Sequence, residues 1–146
     1  MIIDQLKTLL ADHIESALTV QGYHWNVTGP DFNQYHDFFG SIYDMYYGEV
    51  DKLAEYVRIV SEGDEYVTAS VDVVKTNKTV RSIPVVGNKT AEMTKEIGVL
   101  NDILILELNK LFDTATKENE QGLADYCASQ IDVYKKLKWK LKAIQK

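Results

Sequence analysis

Long runs of apolar residues spaced three and four apart leave this chain little choice but helix. One run passes through Ile3, Leu6, Leu10, Ile14, Ala17 and Leu18, and a second through Tyr35, Phe39, Ile42, Tyr46, Val50, Leu53 and Val57. A third holds Met93, Ile97, Leu100, Leu104, Leu108, Leu111 and Ala115; a fourth holds Leu123, Cys127, Ile131, Tyr134, Leu137, Leu141 and Ile144. A 3.6-residue rhythm puts each set on one helix face, and four such faces bury one another in a bundle. The breakers fall between the runs. Gly29, before Pro30, is the expected stop of the first helix, Asp31 the cap of the second, and Gly63 its stop. "TKENEQG" separates the third from the fourth. Residues 64–88 hold no helical period; "TVRSIPVVGN" reads as extended, and the segment is expected to cross the surface with a short helix near Tyr66–Val74. The pattern predicts an all-α four-helix bundle in one domain, 1–146, with a long connection between helices two and three.

Composition removes several classes of function. The opening residues carry Asp4 and no basic run before an apolar stretch, so they do not read as a secretory signal. The longest apolar run, "IGVLNDILILEL", is interrupted by Asn101 and Asp102 and falls short of the roughly 20 residues that span a bilayer. The chain is therefore expected to be cytoplasmic, with no membrane partner. One cysteine, Cys127, excludes an internal disulfide and a Cys-rich zinc framework; its place on an apolar stripe predicts a buried, inert thiol. A net charge of −6 opposes general affinity for DNA. The basic stretch "YKKLKWKLKAIQK" suits the negative end of a terminal helix dipole, with a nucleic-acid patch as the alternative.

The chemistry concentrates in "HWNVTGPDFNQYHDFFG", His24 to Gly40, and "VDKLAEY", Val50 to Tyr56. On the second helix His36, Asp51 and Glu55 lie off the core stripe, on a face shared with Tyr43, Tyr47 and Ala54. His36 and Asp51 are separated by roughly 22 Å of helical rise, far too much for one ion with bonds of about 2.0–2.2 Å. Two copies of the helix crossing antiparallel near residues 43–47 remove the difficulty. His24 and His36 of one chain then sit beside Asp51 and Glu55 of its two-fold mate, with Gly40, Gly48 and Ala54 allowing close approach. Such a mixed N/O set suits iron, manganese or zinc. The plainer reading makes the histidines interfacial packing residues and Asp51 with Glu55 an exposed i, i+4 pair. His13 has no carboxylate partner in the pattern and is read as structural.

These motifs resemble the Dps family, the miniferritins. The family pattern is His-Trp-x-x-x-Gly, a second His twelve residues on, an acid four residues later, then Asp-x-x-x-Glu. His24, Trp25, Asn26, Val27, Gly29, Phe32, His36, Asp51, Ala54 and Glu55 stand at matching places, and "KLKWKLKAI" resembles the last-helix signature, with Trp139 in place. The resemblance implies a ferritin-like bundle that assembles from two-fold dimers into a hollow homo-oligomer of twelve subunits. It implies iron(II) bound between subunits by His24, His36, Asp51 and Glu55, oxidised preferably by hydrogen peroxide, and stored as ferric mineral, with zinc or manganese able to substitute. The family's acidic pore finds counterparts in Asp125 and Glu120, while Thr116 and Gln121 fill two places that are often acidic. With no histidine after residue 36, the Glu-x-x-His site of larger ferritins is excluded.

The chain departs from the pattern at three places. Gly40 replaces the acid after the second His, so one of two iron positions loses a carboxylate; Asp37 and Asp44 are not simple replacements. Tyr56 stands where an Arg usually follows the Glu. A Lys-rich tail before helix one has no counterpart, which argues against DNA condensation. Three functional readings follow: an iron-oxidising storage cage; a degenerate shell with weak or no ferroxidase activity, acting as a structural or nucleoid-associated protein; or a helical scaffold or interaction protein with no metal.

Overall fold

The computed structural model describes residues 1–85 and 89–146. Helices α1 (Ile2–Asn26), α2 (Phe32–Tyr47), α3 (Val50–Val60), α4 (Val71–Asn77), α5 (Thr90–Lys117) and α6 (Gln121–Ile144) follow in chain order. Four staves make the bundle: α1, the bent pair α2–α3, α5 and α6. Helix α4 lies in the connection and packs on α1. The stripes of α5 and of α2–α3 are placed as their spacing predicts; Phe39, Ile42, Tyr46, Leu53, Val57, Ile97, Leu104 and Leu108 are all buried. Among the described residues no helix is long and apolar enough to cross a membrane.

The departures have local causes. Helix α1 stops at Asn26, before Gly29, because Val27 already turns extended at ψ 141° while its N–H bonds the Tyr23 carbonyl. Gly29 takes φ +119° in the loop beyond, a conformation that favours glycine. Asp31 is the N-cap of α2, but its side chain makes no capping hydrogen bond. The second stave is two helices rather than one. At Gly48–Glu49 the backbone tightens, with Glu49 N–H bonding Tyr46 O at 3.2 Å, and the Glu49 carboxylate accepts from the Tyr126 hydroxyl at 2.9 Å. A weak helix former followed by a side chain drawn across to α6 bends the stave there. Gly63 ends α3's trailing turn at φ +87°, its N–H bonding Arg58 O at 2.8 Å.

The apolar residues of α1 divide between two faces. Leu6, Leu9, Ala17, Val20 and Tyr23 enter the core, while Leu18 is 48% exposed and Ile14 only partly covered. Ile144, at the far end of α6, is likewise exposed. The short helix begins at Val71 rather than near Tyr66, since Ser70 caps it by accepting from Val73 N–H at 3.2 Å. Tyr66 instead lies beneath the Arg58 guanidinium, 4.4 Å from its ring centre. The connection does not merely cross the surface: Val80 is buried, and Asp12 holds the Thr79 and Val80 amides. Val86, Gly87 and Asn88, the end of the expected extended stretch, lie outside the described residues.

A polar group from each stave meets inside the apolar core. His13 of α1 donates from Nδ1 to Leu9 O at 2.8 Å and accepts at Nε2 from the Tyr134 hydroxyl at 2.7 Å. Tyr46 of α2 donates to Asn101 Oδ1 at 2.8 Å, and the Asn101 amide donates to the Tyr134 carbonyl at 2.8 Å. Burial holds His13 neutral, its pKa lowered from 6.5 to about 4. The unfolded chain takes up that proton near pH 6.5 and the folded chain does not, so stability is complete above pH 6.5 and falls as pH drops toward 4. The loss from this group amounts to about 3 kcal/mol. Urea midpoints at pH 7 and pH 4 measure it: His13→Gln keeps an acceptor for Tyr134 but cannot titrate, and should show an acid loss smaller by that amount.

Candidate metal centre

The last turn of α1 and the first turns of α2 are joined by a short loop and run antiparallel, which sets His24 and His36 side by side. Their imidazoles stack with centroids 3.8 Å apart and planes 16° from parallel. Each ring bonds the other residue's backbone: His24 Nδ1 donates to His36 O at 2.6 Å, and His36 Nδ1 to His24 O at 2.8 Å. The His24 carbonyl is one of the last four of α1, left without an intrahelical donor, so His36 caps that helix. A carbonyl only accepts, so both Nδ1 atoms carry the hydrogen. In the neutral imidazole this leaves Nε2 as the bare lone pair, the form in which it binds a metal. Phe32 stacks on the outer side of His36 at 5.0 Å, and Tyr43 tilts against His24 at 5.4 Å.

The stack also fixes how many ions the pair could hold. A metal lies near the plane of its imidazole, about 2.0–2.1 Å from the nitrogen. Two nearly parallel planes separated by a stacking distance cannot converge on one ion at that length. Each ring would carry its own.

The carboxylates stand elsewhere. Asp51 in the first turn of α3 and Glu55 one turn later are both exposed. Among the described residues, no three His, Cys, Asp or Glu side chains of one chain come together to hold a metal ion. The fold thus brings together the two imidazoles and leaves the two carboxylates on the far arm of the bent stave. Asp51 lies at the edge of a cavity of about 730 Å³, bounded by Leu10, Ile14 and Leu18 on the second apolar face of α1 and by the connection. Glu55 lines a separate groove of about 450 Å³ that it shares with Asp125. Glu120 is the N-cap of α6, without a capping bond from its side chain.

Two of the anomalous residues have structural work. A Cβ on Gly40 would lie 3.2 Å from Cε1 and 3.3 Å from Nδ1 of His24, so the glycine is the seat of that ring. Tyr56 packs tilted against Tyr126, ring centres 5.2 Å apart, and donates to the Gly122 carbonyl at 3.4 Å, tying α3 to α6. Cys127 is buried, its thiol pushed up to about 12 by burial, which keeps it protonated and unreactive. The role of Gly40 as a seat was not visible in the spacing, because it depends on the approach of a different helix. The Phe32 stack had a signal, an aromatic residue one turn before His36.

Residues 3–146 match the Ferritin family, described as a ferritin-like domain. The DNA protection during starvation protein of Helicobacter pylori is 32% identical over 142 residues, covering 94% of this chain and 94% of that one. The chain belongs to the Dps family of ferritin-like proteins. A protein of the same description from Brevibacillus brevis is 29% identical over 125 residues, covering 82% of this chain and 78% of its own. The fold recurs in a Dps protein from Vibrio cholerae, described as a member of a superfamily of ferritin-like diiron-carboxylate proteins. That structure has TM-score 0.93 at 22% identity, over 99% of this chain and 89% of that one. Dps membership supports iron storage and protection as the general role.

Nitrogen-15 spectra of the imidazoles check the geometry directly. In their neutral form both His24 and His36 should show the Nδ1–H tautomer. Gly40→Ala should shift the His24 ring resonances while leaving His13 unmoved, since a methyl there forces the ring aside by a few tenths of an ångström.

Proposed function

We propose that the protein binds iron(II) between two-fold-related copies, oxidises it, preferably with hydrogen peroxide, and stores the ferric product inside a homo-oligomeric shell of twelve subunits. The reciprocal His24–His36 pair carries this reading, because it fixes two stacked imidazoles in their metal-binding tautomer while, among the described residues, no third ligand of the same chain joins them. Asp51 and Glu55 of a second copy supply the oxygens. The half-exposed Leu18, on the α1 face that also bounds the cavity beside Asp51, supports that placement as apolar surface against which a second chain would dock. Iron is substrate here. Two iron(II) ions give one electron each to a hydrogen peroxide, which takes up two protons and leaves as two waters. The histidines hold one ion apiece, and Gly40 leaves the ion on His36 one carboxylate short of the family pattern.

Zinc(II) and manganese(II) fit the same mixed donors and should compete for them. Asp125 and Glu120 serve as pore acids on this reading, and the groove that Asp125 shares with Glu55 is a route for cations between pore and site. The protein acts in the cytoplasm, and DNA condensation is not part of the role, given the net charge of −6.

An anaerobic iron(II) titration followed by peroxide, read as bound iron and ferric absorbance, tests the reading. His36→Ala and Asp51→Asn should each slow oxidation by more than about tenfold, the loss that even an outer-shell partner of a ligand costs. Refolding a mixture of the two variants should restore activity, because every mixed pair contains one site free of both substitutions. Saturable binding that is unchanged in both variants would overturn the assignment. Absence of oxidation in the wild type would leave the chain a shell without ferroxidase chemistry.

A further inference from the structure

Away from His24 and His36, two carboxyl groups share one hydroxyl. Asp12 of α1 is fully buried. Its Oδ1 accepts from Thr79 N–H at 2.6 Å and Val80 N–H at 3.0 Å, and its Oδ2 lies 2.5 Å from Thr79 Oγ1. The same Oγ1 lies 3.0 Å from Glu107 Oε1 of α5. Glu107 Oε2 is buried without a partner, and the two carboxyls are themselves within hydrogen-bonding reach. A threonine hydroxyl has a single hydrogen. Spent on Asp12 at the shorter distance, it leaves Thr79 Oγ1 and Glu107 Oε1 with no hydrogen between them unless Glu107 carries one. With three donors on Asp12 and an orphan oxygen on Glu107, the extra proton belongs to Glu107.

We propose that Asp12, Thr79 and Glu107 form a one-proton latch that fastens the connection between α4 and α5 to the bundle and releases it when alkaline solution withdraws the proton. The charged groups around it come from all three elements. Asp12 on α1 opposes ionisation of Glu107, and Lys110 on α5 favours it. Lys78 of the connection pairs with Glu15, one turn along α1, and Ser82 donates to the same carboxylate at 2.5 Å. Burial and Asp12 together raise the Glu107 pKa from 4.5 to about 9. The unfolded chain loses this proton near pH 4.5 and the folded chain keeps it, so stability falls as pH rises between those values. Below pH 4.5 the group costs nothing. Above about 9 two anions face one hydroxyl, and the cheapest relief is to let the connection go. The latch sits just beyond α4, whose residues, with Tyr66–Ser70 before them, wall the cavity beside Asp51.

Glu107→Gln isolates the proton, since an amide donates to Thr79 without needing one. Hydrogen exchange of the Thr79 and Val80 amides, corrected for base catalysis, reads the latch in the full chain. Wild-type protection at both should hold to pH 8 and fall about tenfold or more by pH 10, while the Leu104 and Leu108 amides keep theirs. Glu107→Gln should hold protection throughout and melt above the wild type at pH 8 but level with it at pH 4. Carbon-13 carboxyl titration should show one glutamate still protonated at pH 7 in the wild type and missing in Glu107→Gln. Wild-type protection flat to pH 10, an identical fall in both proteins, or a Glu107→Gln chain that fails to fold would each overturn the proposal.

Discussion

Everything else in the bundle is registered against one buried polar junction. Apolar stripes hold helices together but allow them to slide, because one leucine packs nearly as well as the next. Hydrogen bonds in a dry core do not slide: a missed partner costs about 1–3 kcal/mol. His13, Tyr46, Asn101 and Tyr134 come from four different staves, so their bonds set the height of α1, α2, α5 and α6 relative to one another. That height decides where the end of α1 meets the start of α2, and hence whether His24 and His36 stand level.

Level they are, and on the proposed reading the site is built in halves. One arm of the bent stave carries an imidazole pair locked by two backbone carbonyls. The other carries the exposed Asp51, beside a second apolar face of α1, and the exposed Glu55, on a groove shared with Asp125. The separation follows from the helical rise and needs no special device. A stave with donors near both ends offers them, on that reading, to a neighbour rather than to itself.

Much of this was legible in the residues. The stripes of α5 and α2–α3 were read correctly because long periodic runs over-determine a helix face. Helix α1 was harder: Leu10, Ile14 and Leu18 obey a helical rhythm yet belong to a different face from Leu9, Val20 and Tyr23, and periodicity cannot separate two adjacent apolar stripes. The bend at Gly48–Glu49 escaped because its cause, the pull of Tyr126 on Glu49, lies 77 residues away in sequence. So did the burial of Val80, which follows from Asp12 on a distant helix. At the site, spacing gave the neighbourhood of His24 and His36 but not the stack, their tautomers or the part Gly40 plays.

Read as a missing carboxylate, Gly40 looks like a simple loss, repaired by restoring one side chain. The imidazole of His24 fills that room, with atoms 3.2 and 3.3 Å from where a Cβ would stand. The gap is therefore not vacant. An acid placed at position 40 would have to displace the ring, because a close-packed neighbour leaves no spare volume. Restoring the carboxylate thus takes two coordinated changes rather than one.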